Sequence, residues 1–229
     1  MNLLALDTST EYLSLVLMKG EELFTFDLNA GQTHSQIILP QLQALLNAAE
    51  MQLNDLHGIA FGAGPGSFTG VRIAAGVAQG LGLGANLPVV GVCTLLALAE
   101  ASAADKVITC LDARMGEVYY AAYEKVAGEW QADIQPSLYK PDAVPVVKGA
   151  AWVGAGSGWQ AYLEQLSAAY GQQLLATQPQ LLPTASAILK LAMPVFARGE
   201  AHPASEAMPI YIRNRVALKT AERQQGLRL

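Results

Sequence analysis

Glycines dominate the stretch with the clearest chemical meaning, residues 59–84: Ile-Ala-Phe-Gly-Ala-Gly-Pro-Gly-Ser-Phe-Thr-Gly-Val-Arg-Ile-Ala-Ala-Gly-Val-Ala-Gln-Gly-Leu-Gly-Leu-Gly. Residues 62–66 follow an apolar predicted strand, and a helix is predicted to begin near Ser67. Such a loop can turn its N–H groups toward a phosphate, and the positive end of the helix dipole favours the same anion. However, no lysine follows the loop as in a Walker A motif, and Thr69 stands where a dinucleotide fingerprint needs glycine. The spacing therefore matches neither phosphate-binding motif.

The predicted helix carries a row of glycines on one face, Gly76, Gly80 and Gly84. Each glycine inside a helix costs roughly 1 kcal/mol relative to alanine, so the row requires an explanation. Glycines four residues apart leave a shallow groove that another helix can approach closely. The spacing alone leaves two interpretations open, a helix of the same chain or a helix of another chain.

Two aspartates end similar apolar strands, Asp7 after residues 3–6 and Asp112 after residues 107–111. Each is followed by a turn and a returning strand, so the layout repeats after 105 residues. This repeat predicts an α/β, two-lobed sugar kinase/Hsp70/actin-like (ASKHA) fold with a reduced second domain. In such folds the paired aspartate turns hold nucleotide phosphates through Mg²⁺, whereas the simpler interpretation is that each aspartate caps its own turn.

The remaining elements are placed by apolar periodicity and turn residues. A third strand is expected at residues 23–28, and irregular chain at residues 128–150. We place the domain boundary near residue 104, giving an N-terminal domain (1–104) with the partner-binding helices and a smaller C-terminal domain (105–229). The expected helices cover residues 35–51, 95–103 and 185–197, and a strand-turn-helix unit covers 152–166.

No complete active site can be assembled from the other reactive residues. The three histidines, His34, His57 and His202, lack the spacing of a metal-binding pair. Thr33 and Ser35 are interpreted as N-terminal capping residues of the first long helix. The two cysteines, Cys93 and Cys110, stand in apolar contexts typical of buried thiols in a reducing compartment.

Composition limits the partners that the general surface can bind. The chain has 229 residues, a net charge of −5 and a pI of about 5.2, which disfavours strong RNA binding outside local basic patches. One such patch is expected near the C-terminus, at Arg213, Arg215, Lys219, Arg223 and Arg228. Residues 73–99 carry no charge, but glycine, asparagine and proline divide them, which favours buried packing over a membrane span.

Four motifs in order carry a family resemblance: residues 7–10 (Asp-Thr-Ser-Thr), 33–35 (Thr-His-Ser), 64–72 (Gly-Pro-Gly-Ser-Phe-Thr-Gly-Val-Arg) and 112–119 (Asp-Ala-Arg-Met-Gly-Glu-Val-Tyr). Together with residues 209–213 (Pro-Ile-Tyr-Ile-Arg), they closely resemble the bacterial TsaB (YeaZ) family. In the related TsaD proteins a His-x-x-x-His metal pair follows the strand equivalent to residues 89–92. Here that place, residues 91–97, has no histidine.

The resemblance implies a non-catalytic scaffold subunit in a tRNA modification complex. Its partners would be a TsaD-type paralogue, a TsaE-type ATPase, tRNA through the complex, and a second copy of the chain when the paralogue is absent. The complex transfers a threonylcarbamoyl group from its adenylate to N6 of the adenosine 3′ of the anticodon, in tRNAs reading codons that begin with A. A cytoplasmic location, no membrane contact and no metal or cofactor for this chain alone are expected, with ATP or ADP and Mg²⁺ reserved for the assembled complex. The alternative is an independent ASKHA-type small-molecule kinase or ATPase.

The resemblance also indicates which residues meet partners. The expected docking and dimer surface comprises Ile37, Ile38, Gln41, Leu45, Arg72, Gly76, Gln79, Gly80 and Leu83. Candidates for a nucleotide phosphate contact are Asp7, Thr8, Ser9, Thr10, Gly64 and Gly66. No catalytic residue is expected in this chain.

Overall fold

The structure, a computed structural model, describes residues 1–213 of the chain. Its first sheet has the order β3-β2-β1-β4-β5, in which β1, β2 and β3 form an antiparallel meander and β4 and β5 run parallel to β1. These strands are β1 (Asn2–Asp7), β2 (Tyr12–Lys19), β3 (Glu22–Asn29), β4 (Gly58–Gly64) and β5 (Val89–Cys93).

The second sheet repeats this plan. Its order is β8-β7-β6-β9-β10, with an antiparallel meander followed by two strands parallel to β6. Asp7 and Asp112 therefore end the equivalent strands β1 and β6, as the sequence repeat predicts. The strands are β6 (Lys106–Asp112), β7 (Val118–Val126), β8 (Glu129–Tyr139), β9 (Trp152–Ala155) and β10 (Leu174–Gln178).

Helices cover both faces of the first sheet because its buried strands are apolar on both sides. In β1, Leu4 and Leu6 pack in one core with α1 and α2, whereas Leu3 and Ala5 pack in a second core with α6. Helix α3 follows β5 and contacts both sheets, while α4 and α5 follow β9. The helices are α1 (His34–Ala48), α2 (Phe68–Ala85), α3 (Thr94–Ala101), α4 (Ser157–Ala161), α5 (Leu163–Tyr170) and α6 (Ala185–Ala197).

The prediction of irregular chain over residues 128–150 is wrong for its first half, which forms β8. Pro136 lies inside this strand, but β8 is at the edge of its sheet, and the pairing with β7 shifts register around Ala121. Proline lacks the N–H that a central strand would have to donate, so an edge strand with an irregular register tolerates it. Strand β10 is also absent from the sequence predictions.

The boundary proposed near residue 104 falls between the two sheets, in the turn before β6. Helix α6 nevertheless returns from the second half of the chain to pack against β1, β4 and β5. The division into residues 1–104 and 105–229 therefore stays a prediction. The uncharged stretch 73–99 is divided among α2, β5 and α3, and none of the helices within residues 1–213 is long and apolar enough to cross a membrane.

Candidate functional site

The glycine row of α2 lies on the surface, and no other part of residues 1–213 lies opposite it. A Cβ atom added to Gly76, Gly80 or Gly84 would meet no described atom within 4 Å. The helix itself is well defined, because the Ser67 side chain accepts a hydrogen bond from the Gly70 N–H at 3.3 Å, and Asn86 ends it with a left-handed residue. The interpretation that a helix of the same chain fills this groove is therefore wrong for residues 1–213.

Two other glycines of α2 are required by close packing within the chain. A Cβ at Gly82 would lie 2.6 Å from the Cβ of Ala204, and one at Gly70 would collide with the carbonyl oxygen of Thr8. The Thr8 hydroxyl also donates to the Gly70 carbonyl at 2.7 Å, which binds the start of α2 to the turn after β1. The buried glycines thus serve packing, whereas the exposed row packs against nothing among residues 1–213.

Helix α1 changes the expected docking surface. Ile38 is 1% exposed and Leu45 is 9% exposed, and both belong to the core between α1 and the first sheet. They offer a partner almost no area, so neither of them can contribute to a docking surface. Ile37 and Gln41 are half-buried, while Leu39, which the sequence reasoning missed, is 52% exposed. Helix α1 contains several leucines, and no sequence signal distinguishes the exposed Leu39 from the buried ones.

The other expected interface residues lie on α2, and two of them contact the segment of residues 204–213. Gln79 donates to the Ser205 carbonyl at 3.4 Å, and the Nε of Arg72 donates to the Tyr211 hydroxyl at 2.8 Å. Leu83 is 62% exposed near the other end of the helix. The segment therefore runs alongside α2 in the opposite direction, an arrangement that the sequence reasoning did not predict.

A cleft of about 800 Å³ opens between the two sheets, at the turns that end β1 and β6. Ser9, Thr10 and Gly66 line it from the first sheet, and Asp112 lines it from the second. Asp7, Thr8 and Gly64 are buried and do not belong to its lining. A nucleotide contact by any of these six candidate residues stays a prediction.

Both strand-ending aspartates cap their own turns. One oxygen of Asp7 accepts from the N–H and the hydroxyl of Ser9, at 3.2 and 2.8 Å, while the other packs against Gly62 without a hydrogen-bond partner among residues 1–213. Burial raises the pKa of Asp7 to about 7, although the bonds from Ser9 oppose that rise. Asp112 accepts from the Arg114 N–H at 2.9 Å. Both contacts are turn-capping bonds.

The basic C-terminal patch can be followed only at its first member. The Arg213 guanidinium donates to the carbonyl of Ala113 at 3.1 Å and pairs with the Glu117 carboxylate at 2.8 Å. It therefore joins the segment of residues 204–213 to the turn between β6 and β7. The other four basic residues, Arg215, Lys219, Arg223 and Arg228, lie outside the described residues.

The three histidines and the start of α1 can be compared with the sequence predictions, except where they would involve residues beyond 213. No group of three His, Cys, Asp or Glu side chains within residues 1–213 could hold a metal ion. His34 is buried, and His57 accepts from the Asn2 N–H at 3.1 Å. Thr33 occupies the N-cap position of α1, as predicted, but its side chain makes no capping hydrogen bond, because its hydroxyl donates to the Ala30 carbonyl at 2.8 Å.

Comparisons with known proteins agree on one family. A family model described as "TsaD: tRNA N6-adenosine threonylcarbamoyltransferase" matches residues 28–202. The chain is 41% identical to the tRNA threonylcarbamoyladenosine biosynthesis protein TsaB of Escherichia coli (strain K12), over 96% of this chain and 97% of that protein. It is 37% identical to the Haemophilus influenzae protein of the same name, over 96% of each chain.

The fold agrees with solved structures of the same kind. The structure of "YeaZ from Pseudomonas aeruginosa" superposes with a TM-score of 0.85 and 40% identity, covering 92% of this chain and 99% of that one. With the repeated sheet topology, this similarity confirms the predicted α/β, ASKHA-like fold. The chain therefore belongs to the TsaB (YeaZ) family, whose members are relatives of TsaD named for tRNA threonylcarbamoyladenosine biosynthesis.

Proposed function

We propose that this chain acts in tRNA threonylcarbamoyladenosine biosynthesis as a non-catalytic subunit that docks a TsaD-type paralogue. The role in that biosynthesis rests on the names of the relatives that it matches over almost its whole length. The docking surface consists of exposed and half-buried residues of α1 and α2. Leu39, Phe68, Arg72, Gly76, Gly80, Leu83 and Gly84 are exposed, and Ile37, Gln41 and Gln79 are half-buried. We call this set the docking face.

The observation that carries the proposal is the open glycine row. Gly76, Gly80 and Gly84 together cost the isolated helix roughly 3 kcal/mol relative to alanine. No described atom lies within 4 Å of the positions that Cβ atoms would occupy there. A helix of another protein could use the space, because a surface without side chains lets two backbones come close together.

The composition of the docking face supports a protein partner rather than a nucleic acid. Helix α1 has no Asp, Glu, Lys or Arg, and Arg72 is the only such residue of α2. Leu83 and Leu39 are more than half exposed, and Phe68 is 45% exposed. A surface depleted in charge, with exposed leucine and aromatic side chains, is typical of the core of a protein–protein interface.

The location of Asp7 supports a subunit without its own phosphoryl chemistry. In the proposed scheme its carboxyl group stabilises the turn after β1 and packs against Gly62, away from the cleft. Residues from the TsaD-type paralogue would carry out the transfer. A TsaE-type ATPase and tRNA would join through the assembled complex, and a second copy would take the docking face when the paralogue is absent.

Reconstitution with purified components tests the proposal. The TsaD-type paralogue and TsaE-type ATPase of the same genome are mixed with unmodified tRNA, ATP and the threonylcarbamoyl donor, with and without this chain. We expect the modified nucleoside to form at a substantial rate only when the chain is present. The Asp7→Ala variant should also support its formation, provided that the variant folds. A full rate without the chain would contradict the proposed role. Mg²⁺-dependent ATP turnover by the pure chain, abolished in Asp7→Ala, would favour the kinase alternative.

A further inference from the structure

Arg72 stands at one end of the glycine row. Phe68, Arg72, Gly76, Gly80 and Gly84 follow one another at four-residue intervals, and all five are exposed. A helix places residues at this spacing along one side. Any helix that packs along the glycines therefore ends beside, or passes over, the one guanidinium group of the docking face.

The orientation of Arg72 is fixed by two aromatic neighbours. Its guanidinium carbon lies 3.5 Å from the ring centroid of Phe68 and 5.4 Å from that of Tyr211. Its Nε donates to the Tyr211 hydroxyl at 2.8 Å. Such stacking suits the planar guanidinium and reduces the freedom that is lost when the group binds a ligand. Tyr211 is thus a positioning residue for Arg72.

The terminal nitrogens of Arg72 have no partner in the part of the chain that the structure describes. The Nε is occupied, but within residues 1–213 neither terminal nitrogen has a hydrogen-bond acceptor or a paired carboxylate. Two parallel N–H groups in a plane match the two oxygens of a carboxylate, and such bidentate pairs are among the stronger interactions at interfaces.

We infer that Arg72 selects the partner of the docking face by its charge, favouring a protein that places an Asp or Glu side chain opposite it and disfavouring a second copy of this chain. A second copy would present α1 and α2, which carry no carboxylate, so the symmetric dimer would bury Arg72 unpaired. The inference rests on the proposed function, because it assumes that the docking face meets a TsaD-type paralogue.

Two nearby exposed carboxylates must be considered, since a second copy could bring either of them to Arg72. Asp55 lies in a turn packed against α2 and accepts from the Gln52 N–H at 2.7 Å. Glu206 lies in the Ala204–Glu206 turn, also against α2, and is 3.4 Å from the Nδ1 of His202. Both already have a partner in the single chain, which makes them weaker candidates than a new carboxylate from another protein.

The test compares two equilibria in the same set of full-length variants. Titration calorimetry measures binding to the TsaD-type paralogue, and sedimentation equilibrium measures self-association of the chain alone. Arg72→Gln should weaken paralogue binding by about tenfold or more, and should strengthen self-association. Arg72→Lys keeps the charge without the planar pair, so its binding should fall between Arg72→Gln and the natural chain. Tyr211→Phe keeps the ring and removes the hydroxyl acceptor, and should weaken paralogue binding without strengthening self-association.

Controls separate this inference from the proposed function. Arg198→Gln removes an exposed arginine at the end of α6 and should change neither equilibrium. Arg72→Gln could bind the paralogue as tightly as the natural chain does while Gly80→Leu binds it weakly. That result would overturn the selective role of Arg72 and leave the proposed docking face intact. Self-association that is lost in Glu206→Gln or Asp55→Asn would show that a second copy supplies the carboxylate, which also overturns it. If the natural chain does not bind the paralogue at all, both proposals fail.

Discussion

Asp7 combines a nearly complete burial of its carboxyl group with one oxygen that has no hydrogen-bond partner among residues 1–213. Its pKa rises from 3.8 to about 7 because burial penalises the charged form, more than the Ser9 bonds favour it. A carboxyl group with a raised pKa in the folded state contributes most to stability below the unfolded pKa. That contribution falls as the pH rises from about 4 to about 7.

The Asp7→Asn variant should remove this pH dependence. The free energy of unfolding of the natural chain, relative to that of Asp7→Asn, should fall by roughly 3 kcal/mol between pH 5 and pH 8. Urea unfolding curves at a series of pH values measure the difference. Asp133→Asn, at an exposed position of β8, serves as the control. A constant difference for Asp7→Asn over this range would mean that Asp7 keeps its ordinary titration in the fold.

At the residue scale, sequence reasoning predicted the positions of Asp7 and Asp112 but not their surroundings. An apolar run followed by aspartate and turn residues can be recognised in the amino-acid sequence. Whether the carboxyl group points into the cleft depends on Gly62, a residue of another strand that lets the carboxyl group pack against its backbone. Ser9 and Thr10 line the cleft where Asp7 does not. No local sequence pattern shows whether the Asp7 carboxyl group points into the cleft or toward Gly62.

Helix α3 is the element that joins the two lobes, and Glu100 is its main polar contact. Its carboxylate accepts from Lys125 at 2.9 Å and from the Trp130 indole at 2.7 Å, and it also pairs with Lys190 of α6. Burial alone would raise the pKa of Glu100, but the bonds from Lys190, Trp130 and Lys125 outweigh it and lower the pKa to about 2. Helix α3 is thereby bound to β7, β8 and α6 at one point.

Glu100→Gln should destabilise the fold at neutral pH by about 1–3 kcal/mol, because two lysines lose their shared carboxylate. The lowered pKa means that this contribution is complete above pH 4.5 and is lost as the pH falls toward 2. Chemical unfolding at pH 7 and at pH 3 therefore should give a smaller difference at the lower pH. Glu124→Gln breaks the more exposed pair with Lys106 and should cost under about 1 kcal/mol. Equal costs for the two variants at pH 7 would contradict the role of Glu100.

Elements were predictable where periodicity and end signals agreed. Ser67 does cap α2, and the nearly continuous apolar runs of β1 and β2 match burial on both faces. Strand β8 was missed because Pro136 is usually evidence against a strand, and only its position at the sheet edge permits it. The glycine row was visible in sequence, but the difference between Gly80 and the packed Gly82 depends on Ala204, which is far along the chain.

At the scale of the whole molecule, the two sheets and the cleft belong to a fold shared with relatives. The proposed role of this chain rests instead on the docking face. The face combines a helix with open glycines, a neighbouring helix without charge, and one oriented arginine. The repeated strand-turn-strand layout and the family motifs predicted this fold, whereas the exposure of Leu39 and the path of residues 204–213 beside α2 required coordinates. The central claim is that the open glycine row is where the TsaD-type paralogue binds.

The calorimetric affinity of full-length Gly80→Leu for the TsaD-type paralogue tests that claim most directly. Leucine should fit the isolated helix, because nothing described lies within 4 Å of its Cβ position and leucine is the better helix former. The unfolding midpoint should therefore stay within a few degrees of the natural value or rise. Ala169→Leu places the same side chain on an exposed position of α5 and is the matched control. The account predicts that Gly80→Leu binds at least about tenfold more weakly while Ala169→Leu binds normally; equal affinity of Gly80→Leu and the natural chain would contradict it.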